Sequence, residues 1–173
     1  MVSDEVSIRT ASDEDVRKLV DNRNDRHYFL DHLDRDRGII LFAFRGEALA
    51  GYIFLRLAPA EEPELRAGLP GVPLLQHLRV LDGHEHYGVA RTLLSEAERQ
   101  LALLGFHRVA LGVHPSNERA IALYQGLSFT AWREEHLPTF HVEVLDDDST
   151  ERSDDVCLVL VKHLERLRWM GRR

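Results

Sequence analysis

The sequence predicts a mixed α+β (α/β) domain, and three patterns lead to that class. Between Leu75 and Phe129 the apolar period changes three times, in the order strand, glycine turn, helix, strand, capped helix. The apolar run from Gly38 to Leu57 is interrupted at its centre by Arg45, Gly46 and Glu47, so two β-rich arms flank a polar turn and form a hairpin. The chain also opens on a strand followed by a helix start. Helices and strands thus share a single domain spanning residues 1–173, with no internal repeat and no linker.

Each element has a local cause. Val6 to Arg9 is the opening strand, and Ser12 followed three residues later by Asp15 is close to a capping box for the first helix. Asn24 to Arg37 is highly charged with Tyr28, Phe29, Leu30 and Leu33 interleaved, which predicts a second short helix on the surface. After the hairpin, Ala58 to Val72 collects three of the six prolines and two glycines and is expected to be a loop. Leu75, Leu78 and Val80 mark a strand, and Gly83 and Gly88 bracket a turn. A helix of about sixteen residues then sets Val89, Leu93, Ala97, Leu101 and Leu104 on one face.

Gly105 ends that helix as a C-terminal cap, and HRVALGV is the next strand. Pro115 breaks the chain, and Asn117 caps a helix carrying Ala120, Ile121, Leu123, Tyr124 and Leu127. The remainder is less regular. FTAWREEH and TFHVEVL are strand-like, DDDSTERSDD is an acidic turn or loop, and VCLVLVKHL is a final buried strand.

Composition removes several functional classes. With 173 residues, 44% of them hydrophobic, the chain builds a core without disulfide or metal staples, and its single cysteine, Cys157, is expected to be a buried core residue. The net charge of −7 and the lack of a basic stripe argue against nucleic-acid binding and mildly favour cationic partners. The charges at the centre of the longest apolar run argue against a membrane span, and the N-terminus carries no targeting signal, so a cytoplasmic location is expected. HEH at 84–86, with His77 nearby, lacks a compact set of further ligands, and no metal is expected. Trp132 and Trp169 are most simply packing residues. What the strand, glycine turn and helix do favour is an anion: free N–H groups and the positive end of the helix dipole suit a phosphate or pyrophosphate.

Two segments sharpen this. EHYGVA at Glu85 to Ala90 is similar to a phosphate-cradling signature of Gln or Arg, two residues, Gly, one residue, then Gly or Ala. NERAIALYQGLSF at Asn117 to Phe129 is similar to Asn, two residues, Ala, then Leu-Tyr and a closing Gly-Phe. Through these motifs, and over most of its length, the chain resembles the GNAT superfamily of acetyl-CoA-dependent N-acetyltransferases. That resemblance implies a mostly antiparallel sheet of six or seven strands, splayed between the fourth and fifth and flanked by about four helices. Acetyl-CoA would lie in the opening, its pantetheine along Leu78, Arg79 and Val80, and its pyrophosphate on the amides of His86, Tyr87, Gly88, Val89, Ala90 and Arg91. Asn117 would touch the cofactor arm, and Tyr124 would protonate the departing thiolate while a neutral amine attacks the thioester directly. A strand amide near Leu78 to Val80 would steady the oxyanion. Chains of this kind often pair through their C-terminal strands, which makes a homodimer an expectation.

The general base is less determined: His77 and His114 are candidates because a neutral imidazole accepts a proton near neutral pH, and ordered water is the alternative. Two positions depart from the motifs. Glu85 stands where Gln or Arg is usual, and Ser128 replaces the closing Gly, which would strain a left-handed turn unless Gly126 relaxes it. The leading expectation is acetyl transfer to a primary amine of a small, cationic molecule. A protein N-terminal or lysine acetyltransferase is the second, although Gly112 stands where ribosomal-protein acetyltransferases have Glu. A non-catalytic acyl-CoA sensor, supported by Glu85 and Ser128, is the third.

Overall fold

The computed structural model describes residues 4–165, so Trp169 lies outside the described residues. Strand β1 (Val6–Thr10) leads into α1 (Asp13–Leu19) and α2 (Arg23–Asp34), followed by the hairpin β2 (Gly38–Arg45) and β3 (Ala48–Arg56). Helix α3 (Pro63–Gly68), β4 (Leu74–Val80), α4 (Val89–Leu103), β5 (Arg108–Val113) and α5 (Glu118–Gly126) come next. The chain ends with β6 (Thr130–Ala131), β7 (Leu137–Val144) and β8 (Thr150–His163). The strands form one sheet in the order β1-β2-β3-β4-β5-β8-β6, with β7 also paired to β8. The pairings are antiparallel except for β4 with β5. No helix among the described residues is long and apolar enough to cross a membrane.

Alternation along the hairpin builds a core on each face of the sheet. Leu41 and Ala43 of β2, with Ile53 and Leu55 of β3, face α4, whose Leu93, Leu94, Ala97 and Leu101 are fully buried. Ile40, Phe42, Tyr52 and Phe54 face the other way, against Val16 of α1 and Phe29 of α2. A smaller cluster joins Leu65 and Leu69 to Leu74, Leu137, Cys157 and Val159. Complete burial of one such leucine contributes about 2 kcal/mol, so the packing of α4 alone fixes its position firmly.

Helix α2 lies on the surface, as its interleaved apolar residues predict, and buries Asp25, Phe29 and His32 on its inner side. Three expectations change. The segment 58–72 is not all loop: Pro63 sits in the first turn of α3, and Leu65 turns inward. Leu104, expected on the apolar face of α4, falls at the C-cap and is 56% exposed. The acidic run is only partly a turn, because residues 145–149 reverse the chain and Thr150 already begins β8. Backbone pairing with β7 holds those charged residues extended, and the side chains of residues 150–154 remain in solvent. The short β6 and α3 bring the totals among the described residues to eight strands and five helices.

Candidate active site

Strands β4 and β5 pair only at Leu74↔Ala110 and Leu75↔Leu111, and then separate. The cause is local. Between Tyr52↔Arg79 and Phe54↔Gln76 the register with β3 shifts, so His77 and Leu78 oppose Ile53 alone. His77 occupies the left-handed region at φ 55°. Such a bulge bends and twists its strand, and here it turns the rest of β4 away from β5, which stays paired to β8 through Val113. The opening is a cleft of about 950 Å³ lined by β4, β5, the start of α4 and α5.

One end of the cleft suits an anion. Gly88 turns into α4 at φ 75°, and the first intrahelical bond runs from the Thr92 amide to the Gly88 carbonyl at 3.0 Å. The amides of Val89, Ala90 and Arg91 precede that bond, no side chain caps the helix, and its first turn holds no acidic residue. The helices α1, α2 and α5 are instead capped by Ser12, Asn22 and Asn117. Close packing sets the position of these amides: a Cβ on Gly51 would lie 2.5 Å from the Arg79 carbonyl oxygen and 3.0 Å from a Val89 methyl. His84, His86 and Arg91 line the same end. Arg45 holds the loop from behind, 3.1 Å from His84 Nδ1 and with its guanidinium 3.2 Å from the Tyr87 ring centroid. Free amides, an uncapped dipole and cationic neighbours fit the diphosphate of acetyl-CoA.

Leu78, Val80, His86, Gly88, Val89, Ala90, Arg91, Asn117 and Tyr124 all line the cleft, as does His77. Arg79 and Tyr87 do not: the Arg79 guanidinium turns to Asp25, and Tyr87 lies beneath Arg45, so any part they take in donor binding falls to their backbone. The Asn117 side-chain oxygen accepts from the Ala120 amide at 3.2 Å, which leaves its NH₂ for the cleft. Tyr124 packs edge-on to Phe129, and burial raises its pKa, so the phenol keeps its proton at neutral pH. Its hydroxyl has no hydrogen-bond partner among the described residues.

The two histidine candidates separate. His114 Nδ1 accepts from the Ser116 amide at 3.1 Å in the turn before α5, and its Nε2 lies 3.5 Å from Asp155 of β8, so both ring nitrogens are engaged. His77 commits only Nδ1, to Asp25 at 3.0 Å. Ser128 adopts the left-handed conformation at φ 73° while Gly126 remains helical, so the turn is not relaxed at the glycine.

The other end of the cleft is lined by Tyr28, Glu61, Glu62, Thr139, Phe140, Asp155 and Cys157. Glu62 accepts from the Thr139 hydroxyl at 2.9 Å, which fixes one of three carboxylates facing the opening. Burial, reinforced by Glu62 and Asp155, pushes the Cys157 thiol up to about 11, so it remains a protonated wall residue. Sequence reasoning singled out none of Asp25, Glu61 and Glu62 for this site. No local signal marks Asp25, whose partner lies 52 residues away. No group of three or more His, Cys, Asp or Glu suited to a metal occurs among the described residues.

Residues 7–129 match the model of the acetyltransferase (GNAT) family. The structure resembles the ribosomal-protein-S18-alanine N-acetyltransferase of Escherichia coli, with a TM-score of 0.65 at 14% identity over 98% of this chain and 100% of that one. It also resembles Arabidopsis thaliana NAA60 in complex with a bisubstrate analogue, with a TM-score of 0.63 at 18% identity over 94% and 99%. A putative acetyltransferase from Salmonella typhimurium with its cofactor acetyl-CoA gives a TM-score of 0.63 at 16% identity over 97% and 99%. At these identities the likeness is one of fold. Comparison with curated proteins gives no match.

Proposed function

The chain belongs to the acetyltransferase (GNAT) family, and from that premise we propose that it moves the acetyl group of acetyl-CoA to a primary amine on a small cationic molecule. One arrangement supports this. The parting of β4 from β5 opens one cleft whose wall includes the uncapped start of α4, Tyr124, His77 and three carboxylates. Bound acetyl-CoA supplies an activated acyl group and a thiolate leaving group. The chain supplies position and protons.

The amides of Val89 to Arg91 hold the diphosphate, and the unpaired side of β4 from Gln76 to Val80 receives the pantetheine. Glu61, Glu62 and Asp155 attract an ammonium group to the opposite end. His77 takes its proton, and the neutral amine attacks the thioester carbonyl while a β4 amide steadies the developing negative charge. Tyr124 then protonates the leaving sulfur.

Calorimetry with acetyl-CoA, followed by thiol-release assays over a panel of amines and peptides, tests the reading. Saturable binding and thiol release with small cationic amines are expected. Binding without thiol release from any acceptor would identify a sensor instead. Release with peptides alone would favour the protein acetyltransferase reading, to which the ribosomal-protein and NAA60 structures lend support, whereas Gly112 weighs against the ribosomal-protein subgroup.

A further inference from the structure

We propose that Asp25 is the positioning residue that makes His77 the proton acceptor for the incoming amine. This rests on the acetyl-transfer reading above and adds a residue that no sequence motif marks. Asp25 lies in the first turn of α2, where its amide is held by Asn22 at 2.9 Å, and it is 4% exposed. A carboxylate this deep requires full satisfaction, because an unpaired buried charge is strongly destabilising. It receives three donors: His77 Nδ1 on Oδ1 at 3.0 Å, Arg79 Nε on Oδ2 at 3.0 Å, and the Tyr52 hydroxyl on Oδ2.

Arg79 and Tyr52 share Oδ2, which leaves Oδ1 to His77. An ionised carboxylate only accepts, so His77 Nδ1 must carry a hydrogen, and the neutral ring then has its lone pair at Nε2. Burial works to raise the Asp25 pKa. The hydrogen bonds from His77 and Tyr52, with the charge of Arg79, outweigh burial and hold Asp25 ionised. Nε2 is the ring nitrogen left for the cleft that His77 lines. The Tyr28 ring, tilted against the imidazole at 4.2 Å, restricts the ring plane. His77 holds a left-handed backbone that a side-chain-bearing residue adopts only under strain, and the Asp25 contact ties down the side chain on that bulge. Groups around the His77–Asp25 pair are Tyr28 and His32 from α2 beside the imidazole, Tyr52 from β3 and Arg79 from β4 on the carboxylate, and Glu61 and Glu62 in the lining of the same cleft.

The protons balance. An ammonium gives one proton to His77 Nε2, its nitrogen bonds to the acetyl carbon, and the carbon–sulfur bond breaks. Tyr124 protonates the sulfur and recovers the second nitrogen proton, while His77 releases its own to solvent. The net products are the amide, free CoA and one proton.

Nitrogen NMR of histidine-labelled full chain, with His77 assigned through H77Q, tests the dyad without any turnover. The expected form has hydrogen on Nδ1 and none on Nε2 near neutral pH, and hydrogen on Nε2 would overturn the proposal. In steady-state assays with a responsive amine, H77Q should lower kcat about 100-fold and remove the acid limb of the pH profile. D25N should lower kcat tenfold or more, leave the acetyl-CoA Kd unchanged, and move the acid limb to lower pH, because a stabilising negative charge beside the imidazole is gone. Unchanged kcat and pH profile in either variant would refute the role. Should D25N fail to fold, the tautomer of the unaltered chain still decides. Absence of thiol release with every amine would defeat the transferase reading instead, independently of the tautomer.

Discussion

The Glu85 carboxylate folds back onto the Gly83 amide at 2.8 Å, beside the turn that precedes α4. Its own amide and that of Gly83, together with His86 and His84, hold it below the usual carboxylate range, so its charge persists into mildly acidic solution. That charge lies near the amides assigned to the diphosphate. The variant E85Q retains an oxygen acceptor for Gly83 and loses the repulsion. Its acetyl-CoA Kd should fall a few-fold at low salt, with the difference shrinking as ionic strength rises. Calorimetry at two salt concentrations checks this, and equal affinity at low salt would place the diphosphate elsewhere.

Tyr124 carries its proton in a half-buried setting with no competing acceptor among the described residues. Replacement by Phe keeps the ring against Phe129 and removes only the donor. Y124F should lower kcat at least tenfold, about 1.4 kcal/mol of barrier, with the acetyl-CoA Kd nearly unchanged. Undiminished turnover would remove the acid role.

Glu61, Glu62 and Asp155 face the acceptor end with Thr139 bonded to one of them. Should they hold a second ammonium of the acceptor, E62Q should raise KM for diamines several-fold and that for matched monoamines little. A competition assay between the two substrate types reads the ratio directly, and an equal effect on both would assign Glu62 to structure.

Ser128 ends α5 in a left-handed turn closed by the Phe129 amide on the Tyr124 carbonyl at 3.0 Å. This is the position where helices usually use glycine. S128G should therefore stabilise the chain by about 1 kcal/mol, a rise in Tm of about 2–4 °C. A thermal melt of the two proteins measures it, and a lower Tm would contradict the backbone assignment.

Local chemistry explains what was legible beforehand. Ser12 and Asp15, Gly88 and Asn117 announce their helices within a few residues, and the Arg45–Gly46–Glu47 turn announces its hairpin. The six residues of α3 are too few to display a period. The acidic start of β8 defies its composition because β7 supplies backbone partners there. Asp25 and His77 meet only because α2 crosses the sheet over the bulge, a contact that no spacing along the chain encodes. For the same reason the motifs mark the α4 and α5 side of the cleft, and the carboxylates elsewhere on its wall emerge only from the folded arrangement.

Strand β8 bonds to β7 over Thr150–Cys157 and to β5 over Leu158–His163, so one unbroken backbone belongs to both halves of the molecule. Side chains on a strand alternate sides with every residue. Deleting one residue at that joint would therefore invert Asp155 and Cys157 relative to the chamber while β5 kept its partners. Lengthening the turn at 145–149 would leave both ladders in place and disturb instead the contacts of Arg23 with Leu145, Asp146 and Asp148, two residues before Asp25 on α2.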